Sequence, residues 1–377
     1  MNTYGRNTKV AAIVLGVVAI AGCSSSSKPA ATTTTSTMPR ATTTTTTRRR
    51  TETSTTTVTP TTRATTQSSA PSAVAVSASF VSSSQGFALE RSGTVAATTD
   101  GGRSWHRVGN LPTHDEEIIR YIDAADGFAF ARRSGPLMIT HDGGATWTAT
   151  PTPFTDVFDL AIARGTVYVV ALKTGPTVDF QIWSTPVAHL VWKRDPLTLP
   201  VGAGPVASVQ IVLTGGKGWI LGVNRTVIAG ARLMRSGTWS TWNPPCLHEF
   251  GPAYLSASTA TDLVASCDEG VWGGPFKGIT HTVWFSHNGG TTFVRKTAPG
   301  FGPVLSPSPQ TAIVAGGGGL QRTIDGGSSW HDVLPFDGTG GQPDYGFTTS
   351  TQGFMLLGHE MLMTRDAGAS WQSVTLP

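Results

Sequence analysis

The sequence predicts an all-β fold: a seven-bladed β-propeller of four-stranded antiparallel blades, preceded by a disordered linker. Three observations predict it: a recurring eight-residue corner, a nearly constant interval between corners, and a glycine-aromatic pair upstream of several of them. Composition agrees, with 44 Gly, 11 Trp and only 13% charged residues in a chain of 377. After about residue 75, short Val, Ile, Phe and Trp runs are broken by Gly, Asp, Ser and Pro, and no long amphipathic helical period intervenes.

The corner is first met as Thr98-Thr99-Asp100-Gly101-Gly102-Arg103-Ser104-Trp105 and returns as Thr140-His141-Asp142-Gly143-Gly144-Ala145-Thr146-Trp147. Three later copies carry Asn288 with Phe293, Asp325 with Trp330, and Asp366 with Trp371. In a tight hairpin the Asp accepts backbone N–H bonds across the turn, a Gly takes the positive-φ position, and the aromatic packs back over the loop. Each corner therefore marks a hairpin between two strands.

A four-stranded blade needs roughly 40 to 50 residues. Trp105 to Trp147 spans 42, and Phe293 to Trp330 to Trp371 spans 37 and 41. The 146 residues between Trp147 and Phe293 make room for three steps. Degenerate corners are expected at Ile182-Trp183-Ser184 leading to Trp192 and at Leu233-Met234-Arg235-Ser236 leading to Trp242, which brings the blades to seven. The pairs Gly86-Phe87, Gly127-Phe128, Gly218-Trp219 and Gly353-Phe354 read as starts of second strands. The first strand is placed near Val74 to Val81 and the last at Trp371 to Leu376, a register in which the ring closes by packing, whereas a shift of one strand would create a shared blade. Closure removes most exposed sheet edges.

The corner resembles the Asp-box, or BNR, repeat Ser/Thr-x-Asp-x-Gly-x-x-Trp/Phe of sialidase-like propellers. The resemblance implies that each box joins the third and fourth strands of a blade, on the side opposite the recognition face. Asp100, Trp105, Asp142, Trp147, Asn288, Phe293, Asp325, Trp330, Asp366 and Trp371 are then structural, and no catalytic residue is assigned. A sialidase would carry an Arg-Ile-Pro motif, an arginine triad and a Tyr nucleophile with a Glu partner. Arg-Ile-Pro is absent, and no local pattern selects among Tyr121, Tyr168, Tyr254 and Tyr345. The glycine-aromatic strand starts and short blades are more similar to the non-catalytic propellers of the photosystem II stability and assembly factor type. That resemblance implies a domain that binds partner proteins with arginines on one face; Arg91, Arg132, Arg133 and Arg225 take analogous turn positions. No photosynthetic role follows from a shared fold.

Ahead of the repeats, Arg6 and Lys9 precede an apolar run from Val10 to Ile20, the charged-then-hydrophobic order of an export signal and too short to span a bilayer. Ile20-Ala21-Gly22-Cys23 resembles the bacterial lipobox, which implies a signal peptide over 1–22 and a diacylglycerol on Cys23. Two acyl chains anchor stably where one is marginal. Residues 23–72, almost all Thr, Ser, Ala and Pro, are expected to form a disordered tether with a mean reach of about 40 Å, and 73–377 the propeller. The protein is thus expected to be extracytoplasmic and held at the bacterial cell membrane.

The net charge of +4 belongs to the leader. Eight of the 27 basic residues and one of the 23 acidic ones precede residue 78, which leaves 19 against 22 in the folded region. This balance gives no argument for a nucleic-acid surface, and no nucleic-acid partner is expected. With Cys23 assigned to lipid, Cys246 and Cys267 are expected to pair in an oxidising compartment. No metal-ligand spacing or cofactor motif is found, so no metal and no cofactor are expected.

The predicted function is a membrane-anchored, monomeric scaffold that recognises an envelope protein or glycan across the face made by inter-blade connections. The candidate contact residues are Asp115 and Glu116, Arg132 and Arg133, His248, Glu249 and Phe250, and Tyr345. The alternative is an exo-glycosidase of sialidase-like type, which the missing Arg-Ile-Pro disfavours.

Overall fold

The computed structural model describes residues 73–377 except 113–116, 133, 174–178, 201–207, 225, 249–250, 270–279, 317, 337–343 and 359. The expected signal peptide, Cys23 and the tether lie outside the described residues, as do Asp115, Glu116, Arg133, Glu249 and Phe250.

Seven four-stranded antiparallel sheets follow one another along the chain, each built from four consecutive strands. Their first strands are Ala75–Phe80, Glu117–Tyr121, Val157–Ala163, Ser208–Thr214, Ala253–Ala257, Val304–Ser308 and Tyr345–Phe347. From blade 1 to blade 7 each of these packs on the first strand of the next blade, and at the closure the first strand of blade 1 packs on the second strand of blade 7, so together they line the axis of the ring. The sequence-predicted fold class is the observed one. No strand is shared between blades 1 and 7; instead Ala75, Ala78, Ala88 and Ala96 pack against Phe354, Leu356, Met361, Met363 and Leu376. Small alanines on blade 1 facing large side chains on blade 7 let the two sheets approach and bury apolar area at the seam.

The glycine-aromatic pairs have a steric cause. Gly86, Gly127 and Gly353 face Phe80, Tyr121 and Phe347 across the first hairpin of their blades. A Cβ on each glycine would sit 2.5, 2.8 and 2.9 Å from that ring, so the aromatic can lie flat across the strand only where no side chain stands. Gly218 plays the same part for Leu213 in blade 4.

The corners share one hydrogen-bond pattern. In the first, the Thr98 hydroxyl donates to Asp100 Oδ1 and accepts the Gly102 N–H, while Asp100 Oδ1 accepts the Ser104 N–H and Oδ2 its hydroxyl at 2.6 Å. Asp142, Asp325 and Asp366 repeat it, and Asn288 does so with its amide donating to Thr292 Oγ1. The residue after each Asp or Asn donates its N–H to the first turn of the same blade, as Gly101 does to Ser84. That position has positive φ in all five copies, including the last, where Ala367 is held at 59°. All five corners and all first turns therefore crowd one end of the ring, and the second turns and inter-blade connections lie at the other.

Blades 3 and 4 depart from this pattern. Trp192 immediately precedes the fourth strand Lys193–Pro200, as expected. In blade 4 the fourth strand is Trp239–Thr241, so the corner aromatic is Trp239 and not Trp242. Trp242 lies beyond the strand and donates its indole N–H to Gly290 in the corner of blade 5. A second Trp three residues downstream hid the true register.

At the axis a polar side chain on one first strand accepts an N–H from the next. Ser77 and Ser79 accept from Ile119 and Tyr121, Asp159 from Ile211, Gln210 from Leu255, Ser256 from Ser306, and Asp344 from Ala78. Among the described residues, these bonds satisfy backbone donors that no ladder reaches at five of the seven blade junctions.

Candidate functional site

The inner strands of blades 2, 3, 4 and 7 bring Arg120, Asp159, Gln210, Asp344 and Tyr345 together. Asp344, just before the first strand of blade 7, accepts from Arg120 Nη1 and Nη2 at 2.9 and 3.0 Å and from the Ser77 hydroxyl at 2.6 Å. The Tyr345 hydroxyl accepts from Gln210 Nε2 at 2.7 Å. Blades 4 and 7 are not neighbours, so this bond crosses the axial channel. Arg120 likewise reaches past blade 1. Polar side chains thus fill the axis at this level.

The charges are coupled. Burial opposes the positive charge of Arg120, but the carboxylates of Asp344 and Asp159 outweigh it and raise its pKa. Burial lowers the pKa of Arg132, with Arg120 adding to that effect and Asp159, Asp344 and Tyr345 opposing it. Arg132 stands in the second turn of blade 2, so the face of connections carries a second guanidinium over the same cluster. Burial raises the pKa of Asp159 against the pull of Arg120 and Arg132. It also raises that of Tyr345, opposed by the bond from Gln210.

Among the sequence-predicted contacts, the structure brings Arg132 and Tyr345 into one cluster. Tyr345 opens an inner strand rather than riding on a loop. His248 is exposed, at φ 72°, in the turn that enters blade 5, with its N–H on the Val227 carbonyl. Cys246 in that turn is joined to Cys267 by a disulfide, which ties the connection to the second strand of blade 5. That strand continues two residues past Cys267, to Glu269. Arg120, Asp159 and Gln210 were missed by sequence reasoning. Their only signal is a polar residue amid an apolar first strand, such as Val157-Phe158-Asp159-Leu160.

No protein-family model matches the sequence, and no curated protein matches it. Solved structures do. YCF48 bound to D1 peptide is 16% identical with a TM-score of 0.54, covering 78% of this chain and 94% of that one. YCF48 from Cyanidioschyzon merolae is 16% identical with a TM-score of 0.55, covering 79% and 97%. Selenomethionine-substituted virginiamycin B lyase from Staphylococcus aureus is 9% identical with a TM-score of 0.55, covering 78% and 94%. At such identities the likeness is one of fold: all three resemble this chain as propellers.

Proposed function

We propose that this protein is a binding scaffold of the bacterial cell envelope, lipid-anchored at Cys23, that recognises a partner protein on its face of inter-blade connections. The observation that carries the reading is the axial cluster, where Arg120 and Arg132 share Asp159 and Asp344 beneath that face. A preset guanidinium beside aromatic and amide groups suits carboxylate or backbone carbonyl recognition. One propeller of similar fold has been seen with a peptide bound, which supports a protein partner over a glycan.

The glycosidase alternative needs carboxyl groups free to move protons. Both oxygens of Asp159 accept backbone N–H bonds, from Leu160 and Ile211, and both oxygens of Asp344 are held by Arg120. A tyrosine nucleophile needs a lowered pKa, and Tyr345 is shifted upward. These features favour binding over hydrolysis.

The test is capture of envelope proteins by the full chain and by its Arg132→Glu and Arg132→Ala/Arg133→Ala variants. Loss of a specific partner with an unchanged melting temperature supports the proposal. Unchanged capture by both variants rejects this face.

A further inference from the structure

We propose that the corner end of blade 4 holds a binding site for an oxyanion of the phosphate class, separate from the axial face. A cavity of about 450 Å³ opens there, lined by Lys217, Trp219, Arg232, Leu233, Met234 and Arg235 of blade 4 and closed by Gly289 in the corner of blade 5. That volume lies within the range of small-molecule sites, roughly 300 to 1,000 Å³.

Blade 4 lacks the Asp-Gly-Gly corner. In its place the Met234-to-Thr238 turn is a short hairpin closed by the Met234 N–H on the Thr238 carbonyl, and the cavity opens beside it. The far wall is fixed in advance: Trp219 and Trp242 donate their indole N–H groups to Gly289 and Gly290, at 3.2 and 2.8 Å. A wall set before binding costs less to order when a ligand arrives.

Three cations face this space, and among the described residues no acidic side chain lines it. Among the described residues, none of Lys217, Arg232 and Arg235 forms an ion pair. The concentration of charge is regional. Residues 157–241, which span blades 3 and 4, hold eight basic and three acidic residues, while the rest of 78–377 holds 11 and 19. Two guanidinium forks and an ammonium match a phosphate monoester or diester in charge and donor geometry. Leu233 and Met234, the latter 40% exposed, add an apolar flank for a group carried beside the phosphate.

The experiment is calorimetric titration of the full chain with dihexanoyl phosphatidylglycerol below its micelle concentration. Dihexanoyl phosphatidylcholine and inorganic phosphate serve as companion probes. Saturable one-to-one binding of phosphatidylglycerol is expected, at least tenfold tighter than of phosphatidylcholine and weakening with salt. It should fall at least tenfold in Lys217→Ala/Arg235→Ala and stay unchanged in Arg103→Ala, a cation of the blade 1 corner. Should the double variant melt early, Met234→Glu supplies the same test from an exposed position. Equal binding of inorganic phosphate assigns the site to free oxyanions, and preference for phosphatidylglycerol assigns it to a lipid head group. The proposal is overturned if neither anion binds saturably, if phosphatidylcholine binds as well, or if the blade 4 variants bind like the parent. Arg132 variants should not alter this binding, so its failure is distinguishable from failure of the axial face.

Discussion

Replacing Asp344 should unfasten the ring at its seam. Its carboxylate holds the Arg120 guanidinium with two bonds near 3 Å, and also accepts the Ser77 hydroxyl and the Ala78 N–H of blade 1. The side chains of Arg120 and Asp344 are only 24% and 11% exposed, so solvent screens the pair weakly. Removing one partner of a buried ion pair costs about 3 to 5 kcal/mol, because the other charge is left unmatched. Asp344→Ala should therefore lose about 4 kcal/mol, which for a ring of this size lowers the melting temperature by roughly 8 °C. Asp344→Asn keeps an acceptor for Ala78 but gives up charge-assisted bonds and should lose about 2 kcal/mol. The assay is urea denaturation of the parent, both single variants, Arg120→Met and the double variant. The Arg120–Asp344 pairing predicts a coupling of at least 1 kcal/mol between the two sites and an unchanged denaturant slope. A loss below 1 kcal/mol in Asp344→Ala, or strict additivity with Arg120→Met, would refute it.

Other consequences are local. Gly127→Ala should lose about 1 to 3 kcal/mol by urea denaturation, because the new Cβ meets the Tyr121 ring, itself stacked on Phe87 at 3.5 Å and edged by Trp147; a neutral result would show that the ring can move aside. Ala367→Gly should gain about 1 kcal/mol by relieving a non-glycine residue held at φ 59°, read as a rise in melting temperature; a fall would contradict the strain argument. The corner hydroxyls and N–H groups hold Asp142 down at about 2 and shift Asp100 and Asp325 the same way. A folded-state pKa below the unfolded value means these carboxylates stabilise fully above about pH 4, and the contribution is lost as pH falls through about 2. Asp142→Asn, which recreates the corner of blade 5, should flatten part of that acid dependence in thermal melts; coincident pH profiles for parent and variant would count against it.

The corners were legible because each is a local solution: Asp or Asn, Gly and an aromatic act within eight residues, so the same bonds recur with nearly the same letters five times over. The glycine-aromatic pairs were legible for a related reason, since the ring that excludes a Cβ lies only six residues away in Phe80-to-Gly86 and Tyr121-to-Gly127. The axial cluster was not. Arg120 and Asp344 stand 224 residues apart, and Gln210 and Tyr345 stand 135 apart, so their proximity comes only from closing the ring. Single polar residues in apolar strands were the available trace, visible only once the blades are aligned on their true register. That register failed at blade 4, where Trp239 and Trp242 offer two aromatics and the cationic turn has no Asp to choose between them.

The proposed recognition takes place over the axial arginines and not over the corners. Its most direct test places a photo-crosslinking amino acid at Arg132 in one variant and at Ser328, in the exposed corner of blade 6, in another. Both variants are then irradiated in intact cells. A discrete adduct with one envelope protein from position 132, and none from position 328, is the predicted result; the same adduct from both positions, or from 328 alone, would contradict it.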